Sequence, residues 1–536
     1  MSRDRPAQGS NPVRWTPTSP TREDSLVLSP PRPRQPDQLP PSQAPPRGPE
    51  GPGSRPANGS RASSRWAQAV PPLLTLAIVL WRIHGPSYWR DEAATLAAVQ
   101  RSFGDLIGML GHVDAVHGAY YMIIWVVVRV AGTGELATRL PSAVAMAVAA
   151  AGISAIGRQV VSARAGLAAG LVFAVLPGIS YYGQDARPYA LVMALAVTAS
   201  YLLTRLLDTA GQRRRWLVAY TACLTALGVV NIFSLLLIPA HGITVALTAG
   251  RRSRRGGPPP LAWNWLAAAG CTIALVSPLV VLGWQQRKQI RWIRPLNTTS
   301  VSTVSDLAGP RALFLLMTVI VATALVFSAA VGRGRFRVSW PAGLPALSVP
   351  WLVFPPAALL AASLIQPVYI FRYILFCVPA VALLAGAGLA ALGPAAGAVA
   401  LVLVLLAGLP VQLRERGRAG HGDNIRAVDA IVAANLRPGD AVYYANNGAR
   451  AFGVAYPYGL GQLRDAALNG SPVQAGRLTG VDLRGPRLRT ALAGVRRLWV
   501  VGVKQRNPVQ LLEGFGFRVI RQWQVSDIWL KLFRRR

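Results

Sequence analysis

Residues 371–411 read FRYILFCVPAVALLAGAGLAALGPAAGAVALVLVLLAGLPV, two apolar runs in succession that carry a single charged residue, Arg372. A helix needs about 20 apolar residues to cross the hydrocarbon core of a bilayer, and each run comes close to that length. Working outward, the pattern recurs at 66–83, 137–157, 164–182, 187–207, 216–231, 232–249, 261–284, 311–331 and 344–364. With 371–391 and 395–411 this predicts about eleven spans. The run 119–132 is short for a span and is expected to lie in the interface rather than cross. The pair 216–231 and 232–249 is split near Asn231, as in a broken or re-entrant element.

Composition agrees with this. The chain has 536 residues, 52% of them hydrophobic and only 14% charged, against roughly 25% charged in soluble proteins. The net charge of +35 in a soluble domain would suggest a nucleic-acid partner. Here the arginines sit in the tails and between apolar runs, which is the positive-inside pattern of a membrane protein, so no nucleic-acid partner is expected. Clusters at 1–65, 158–164, 213–215, 251–255 and 333–337 then share the cytoplasmic face. The outer face receives 84–118, the turn 183–187, the loop 285–310, the turn 365–371 and the tail 412–536.

Three segments follow. Residues 1–65 are rich in Pro, Arg, Ser and Gly, show no signal-peptide pattern and are expected to be disordered. Residues 66–411 form the membrane bundle. Residues 412–536 read as a small extracytoplasmic α/β domain, with a helix at 424–436 and strands at 441–444, 498–503 and 517–520. No nucleotide fingerprint accompanies those strands, so no chemistry is assigned to the tail. Cys223, Cys271 and Cys377 all lie within apolar runs and imply neither a disulfide framework nor a metal motif.

Chemistry is sought where polar residues meet the outer face. The first loop opens Ser87-Tyr88-Trp89-Arg90-Asp91-Glu92. Carboxylates at a membrane face are costly to desolvate without a task or a partner, and one suffices as general base toward an acceptor hydroxyl. The other reading is a solvated loop start. His112, Asp114 and His117 follow, with Tyr120 and Tyr121. They can be joined with Asp91 or Glu92 as metal ligands, although their spacing matches no metal motif and ordinary hydrogen bonding accounts for them too. The turn Tyr181-Tyr182-Gly183-Gln184-Asp185-Ala186-Arg187-Pro188 presents Asp185 and Arg187 at a helix start. The pair suits a sugar hydroxyl or a phosphate, or else a capping aspartate with its salt bridge.

The loop at 285–294 is strongly basic yet falls on the outer face. Arg287, Lys288, Arg291 and Arg294, with Arg372 further on, suit an anionic phosphate. Contact with lipid headgroups by snorkelling side chains is the alternative. An activated sugar outside the cytoplasm would be carried on a lipid phosphate, so acids, an Asp/Arg turn and a basic loop together suggest sugar transfer.

In this order the motifs resemble the GT-C membrane glycosyltransferases, in particular glycosyltransferase family 39, the bacterial relatives of protein O-mannosyltransferases, and the lipid A aminoarabinose transferases. Trp89, Asp91 and Glu92 meet the Trp-x-Asp-Glu of the first loop. His117 to Tyr121 follow the His-Pro-Pro-Leu-Tyr-Tyr stretch, with both prolines missing. Arg139 to Ala143 reproduce Arg-Leu-Pro-Ser-Ala, and Tyr181 to Leu191 the Tyr-Tyr-x-Gln-(Glu/Asp)-Ala-Arg-x-Tyr-Ala-Leu turn. Arg372-Tyr373 meets the Arg-Tyr late in the bundle.

The resemblance covers about 65–410. It implies an all-α GT-C bundle in a bacterial plasma membrane, with the N-terminus cytoplasmic and the C-terminal domain outside. It also implies an inverting transferase that takes a sugar, expected to be mannose, from a polyprenyl-phosphate donor to a glycan, lipid or protein acceptor. Carried onto this chain, Asp91 is the base or acceptor organiser and Glu92 supports it. His117, Tyr121, Asp185 and Arg187 line the cavity, and Arg287, Lys288, Arg291, Arg294 and Arg372 are offered to the phosphate. No cofactor is fixed by the motifs, and the resemblance leaves a place for a divalent metal. The rival readings are a transporter or flippase of lipid-linked sugars, a ligase of whole glycans, and an inactive partner subunit.

Overall fold

Proline places the bend that organises the bundle. Leu176 precedes Pro177 and is held in the extended region at φ −66°, ψ 129°, because a residue before proline is barred from helical geometry. Helices α6 (Ala163–Val175) and α7 (Pro177–Gly183) therefore meet at 64°. The bend directs the chain into the turn that carries Asp185. The computed structural model describes residues 59–208, 213–253, 260–297, 311–330, 343–503 and 508–536, all within one compact unit, Asn58–Arg536.

The first helix, α1, runs Gly59–Leu80. It begins inside the segment expected to be disordered, the remainder of which lies outside the described residues. Two short helices, α2 (Arg90–Val99) and α3 (Phe103–Leu110), fill the first loop. They are followed by α4 (Gly118–Ala131) and α5 (Glu135–Val160). After the bent pair come α8 (Tyr189–Asp208), α9 (Arg213–Val230), α10 (Leu237–Ser253), α11 (Pro260–Gln285) and α12 (Arg311–Ala330). The bundle closes with α13 (Gly343–Ile365), α14 (Val378–Ala391) and α15 (Pro394–Glu415).

Among the described residues, seven helices are long and apolar enough to span a membrane, or eight counting the bent pair. The chain is a multi-pass membrane protein; the described residues do not confirm a count of eleven. The predicted spans at 66–83, 216–231 and 311–331 are helical without joining that set. Helix α4 has 14 residues, or about 21 Å at 1.5 Å per residue, too short to cross. The split at Asn231 is a single 3-10 turn, Ile232–Leu236, capped by the Asn231 side chain accepting from Phe233 N at 2.9 Å. The predicted basic cluster at 333–337 and the loop residues 298–310 lie outside the described residues.

Small residues set the close approaches between helices, as is usual where lipid removes the hydrophobic drive to associate. At Gly386 in α14 a Cβ would run into the backbone of Ala169 in α6. Arg416, fully buried, closes the end of α1 by donating to the carbonyls of Ile78 (2.8 Å) and Trp81 (3.3 Å). A buried helix end needs such a partner for its unpaired carbonyls.

The C-terminal region opens with α16 (Ile425–Asn435), N-capped by Asn424. Strands β1 (Ala441–Tyr444), β2 (Arg464–Asp465), β5 (Arg497–Val503), β6 (Phe517–Val525) and β7 (Ile528–Arg535) form one sheet in the order β2-β1-β5-β7-β6. A small ribbon of β3 (Leu468–Gly470) and β4 (Val481–Asp482) accompanies it. β1 pairs parallel with β5, and β7 antiparallel with both β5 and β6. The first loop does not stand apart from this region. Tyr88, Ala93 and Leu96 share a hydrophobic core with Ile425, Val428, Trp499 and Leu530.

Candidate active site

One guanidinium organises the first loop. Arg139, on the first turns of α5, is fully buried, and all five of its N–H bonds are used. Nε and Nη2 donate to the two oxygens of Glu92 at 2.8 Å each. Nη1 donates to the carbonyls of Ile83 (2.7 Å) and Pro86 (3.0 Å), and Nη2 also to that of Ser87 (3.3 Å). Residues 83–92 thus wrap around a single charge-assisted, bidentate pair.

Glu92 has no room for catalysis at the surface. Its side chain is fully buried, and Oε1 also accepts from Ala186 N at 2.8 Å. It occupies the third position of α2 and accepts from Trp89 N at 3.4 Å, as in a capping box. Glu92 therefore ties the first loop to both α5 and the α7–α8 turn. Its neighbour Asp91 faces the other way. The Asp91 side chain is 25% exposed and pairs with Arg372 Nη2 at 3.4 Å. Adjacent residues on a helix point about 100° apart, so one acid of the pair goes inward and the other toward the cleft.

Arg372 lies against two indoles, its guanidinium 5.7 Å from the Trp89 ring and 5.7 Å from the Trp292 ring. Its Nε is buried without an acceptor. Arg187 is 7% exposed, and its Nη2 meets His117 Nε2 at 3.0 Å while its Nε has no acceptor. The structure thus brings together Asp91, Arg187, His117 and Arg372. Tyr121 joins them through Asp114, to which its hydroxyl donates at 3.0 Å. Burial alone would raise the Asp114 carboxyl, but the adjacent His117 and the Arg187 charge hold it below the usual carboxylate value.

Asp185 is fully buried. Oδ1 accepts from Trp89 Nε1 at 3.0 Å, and Oδ2 has no partner. Burial, reinforced by the nearby Glu92 charge, raises its carboxyl well above the ordinary aspartate value. Its position is fixed by Ser142, which donates to the Asp185 carbonyl at 2.7 Å. Asp185 thus faces the interior side of the site with Glu92, not the open cleft with Asp91.

Two further groups of candidate residues are placed differently. Among the described residues, His112, Asp114 and His117 do not assemble a metal cluster with Asp91 or Glu92. His112 turns back to the Gly108 carbonyl at 2.9 Å. The basic loop is also held differently from what its charges suggest. Its glutamines fasten it, with Gln286 Oε1 accepting from Ala115 N at 3.0 Å and Gln289 Oε1 from Asp114 N at 3.3 Å. Arg287 folds over its own Trp284 ring at 4.6 Å, and Lys288, Arg291 and Arg294 are exposed. The loop reaches the cleft through Trp292.

Sequence reading gave Arg139 no task, although it stands in the Arg-Leu-Pro-Ser-Ala motif. It also passed over Asp423 and His421. Asp423 accepts two bonds from the Arg90 side chain at 2.9 Å and one from Arg90 N at 3.0 Å. His421 is buried against the Tyr181 ring at 4.3 Å. Burial, and then the Arg139 charge, hold its imidazole well below the ordinary histidine value, so it is neutral.

Comparison with known proteins bears on the fold. Residues 118–284 match the family model described as dolichyl-phosphate-mannose-protein mannosyltransferase. The segment includes Arg139, Asp185 and Arg187, while Asp91, Glu92 and Arg372 lie outside it. A search of curated proteins finds no match. The chain is similar to the crystal structure of ArnT from Cupriavidus metallidurans in the apo state. Identity is 14%, coverage is 88% of this chain and 98% of that one, and the TM-score is 0.58. The structure of the same protein bound to undecaprenyl phosphate matches at 15% identity, 89% and 98% coverage and a TM-score of 0.52. The shared fold is the GT-C architecture that the motifs led us to expect.

Proposed function

We propose that this GT-C chain is a glycosyltransferase that moves one sugar from a polyprenyl-phosphate donor to an acceptor hydroxyl on the extracytoplasmic face. Asp91 acts as base, and Arg372 and Arg187 receive the donor phosphate. The observation that carries the reading is the Asp91–Arg372 pair. Of Asp91, Glu92 and Asp185, only Asp91 keeps exposure, and it sits beside a cation with an open N–H.

The acceptor oxygen attacks the anomeric carbon from the face opposite the phosphate, and its proton passes to the Asp91 carboxylate. The bond from that carbon to the phosphate oxygen breaks, and its electron pair leaves with the polyprenyl phosphate. The configuration inverts. The developing charge falls on an oxygen that the unpartnered Nε groups of Arg372 and Arg187 can meet, an arrangement that stabilises the transition state more than the ground state. Trp89 and Trp292 hold the Arg372 guanidinium in place. Polyprenyl phosphate as carrier is supported by the ArnT structure bound to undecaprenyl phosphate. Mannose as the sugar is supported by the description of the matching family model.

The test is transfer of label from polyprenyl-phosphate mannose in membranes that contain wild type or Asp91→Asn. Transfer by wild type alone is expected. Undiminished transfer by Asp91→Asn would overturn the assignment of the base.

A further inference from the structure

Residues 412–536 carry 21 Lys and Arg against 8 Asp and Glu, and the sheet gathers part of that surplus at one end. Arg497 on β5 stands directly opposite Arg534 on β7, and Arg534 directly opposite Arg518 on β6. Residues opposed in this way project from the same face, so the three guanidiniums form one row across three strands. Like charges in such pairs are destabilising. Two more arginines flank the row. Arg521 donates to Asn435 Oδ1 at 3.3 Å, beside Arg497 Nη2, which donates to the Asn435 carbonyl at 3.1 Å. Arg437 follows Asn435 at the end of α16. Arg437, Arg518, Arg521 and Arg534 are exposed.

The fold itself accounts for only part of this group. The C-terminus of α16 carries a partial negative charge that favours Arg497 and Arg521. Charges on an edge strand deter pairing with other chains, which covers Arg518 and Arg521 on β6 but not Arg497 and Arg534 on the inner strands. Asp440 is the one carboxylate within ion-pair distance of the five among the described residues. Its Oδ1 lies 3.2 Å from Arg497 Nε without the alignment of a hydrogen bond. Its Oδ2 already accepts from Trp499 Nε1 at 3.0 Å and from Arg437 N at 3.1 Å. Burial, and then the charges of Arg437, Arg534 and Arg521, hold the Arg497 guanidinium below its ordinary value against the pull of Asp440. Five guanidiniums facing one carboxylate leave a surplus that an anion from outside the chain would meet.

Position and span say what kind of anion. The other end of the β6–β7 hairpin touches the first loop, where Asp527 lies 3.7 Å from Arg90. Arg534 is seven residues further along β7, about 23 Å at 3.3 Å per residue. Helix α16 likewise starts against the bundle, with Arg426 paired to Glu135 at 2.6 Å, and ends at the row. The arginines therefore sit more than two Debye lengths (about 8 Å each at physiological salt) from the first loop. A ligand arriving from solution suits that place better than headgroups beside the bundle. The row covers two strand spacings, about 10 Å, so a chain of charges meets it where a single ion would not. We propose that Arg437, Arg497, Arg518, Arg521 and Arg534 bind a soluble anionic glycan, a chain that bears carboxylate or phosphate groups at intervals. Guanidinium forks take both groups in bidentate fashion. Binding of an anionic chain stands on the row itself; that the chain is a glycan rests on the transfer reaction proposed above.

The experiment uses the full chain in phosphatidylcholine nanodiscs and a fluorescently labelled oligogalacturonate, with a neutral dextran of equal length as control. Binding is read by fluorescence anisotropy, which needs no sugar transfer, so its failure is distinct from failure of the enzyme reading. Wild type is expected to bind the oligogalacturonate, more weakly as salt is raised, and to ignore dextran. Arg518→Gln/Arg521→Gln/Arg534→Gln is expected to raise the Kd at least tenfold. Without ligand, Arg534→Gln alone is expected to melt no lower than wild type, because it relieves two like-charge pairs; a purely structural arginine would lower the midpoint. The proposal is overturned if the triple variant binds as wild type does, if dextran binds equally, or if Arg534→Gln melts well below wild type. It is overturned too if phosphatidylglycerol in the disc abolishes binding, since the headgroups would then hold this face.

Discussion

Replacing Arg139 by methionine removes the centre around which the first loop is wound. Glu92 would be left as a fully buried carboxylate holding only the Ala186 and Trp89 amides. Breaking a buried pair from one side costs about 3–5 kcal/mol. The carbonyls of Ile83, Pro86 and Ser87 lose their donor as well, at about 1–3 kcal/mol for each that water fails to reach. A loss of at least about 3 kcal/mol is therefore expected, a large part of the roughly 5–15 kcal/mol that holds a typical domain folded. Glu92→Met should cost a similar amount by stranding the guanidinium. The double variant Arg139→Met/Glu92→Met should be more stable than either single one, because no unpaired charge remains, with a coupling of at least about 3 kcal/mol. Chemical denaturation in detergent micelles, followed by tryptophan fluorescence, measures all three. An Arg139→Met protein within about 0.5 kcal/mol of wild type, or a double variant equal to the sum of the single ones, would refute the reasoning.

Other expectations concern separate parts of the molecule. Asp91→Asn should fold as wild type does, since its carboxylate makes one partly exposed pair, and should lose sugar transfer; a melting midpoint well below wild type would show that the side chain is structural. Arg372→Gln should raise the apparent KM for the lipid-phosphate donor at least tenfold, while Arg287→Gln, whose guanidinium rests on Trp284, should leave it within twofold; equal effects in donor titrations would remove the distinction drawn between them. Gly386→Ala should destabilise the bundle by about 1–3 kcal/mol, because the methyl group has no room against the Ala169 backbone; an unchanged denaturation midpoint would show that α6 and α14 can separate without cost.

Much of the bundle was legible because the membrane imposes one strong rule, an apolar run of a given length, and few alternatives satisfy it. The rule weakens at 66–83 and 216–231, where the helices α1 and α9 begin among polar and charged residues. The strands at 441–444 and 498–503 were readable from β-branched and aromatic runs. The β6–β7 hairpin was caught only at its start, because Arg518, Arg521, Gln522 and Gln524 interrupt the apolar pattern on a face that remains partly wet. In the site, the residues alone gathered the acids without telling Asp91 from Glu92, and only the family resemblance ranked Asp91 first. Their difference is a matter of which way two consecutive residues face on one helical turn. Charge counting pointed to the basic loop as a set, whereas the structure uses its glutamines for docking and its tryptophan for contact with Arg372. His421 was invisible for another reason. A lone histidine in a glycine-rich stretch carries no periodicity, and its neighbours in space lie hundreds of residues earlier in the chain.

That separation bears on the order in which the protein is made. Arg90 waits for Asp423, 333 residues downstream, and Glu92 faces His421 across a similar interval. At a synthesis rate of about 5–20 residues per second, the ribosome takes tens of seconds to deliver the second half of these contacts after the first has emerged. During that time the loop bearing Asp91 has its α5 anchor at Arg139 but not its final one. The last transmembrane passage must be threaded before the clasp can shut. A chain truncated before residue 423 therefore carries the first loop without its complete mounting, and the clasp shuts only late in translation.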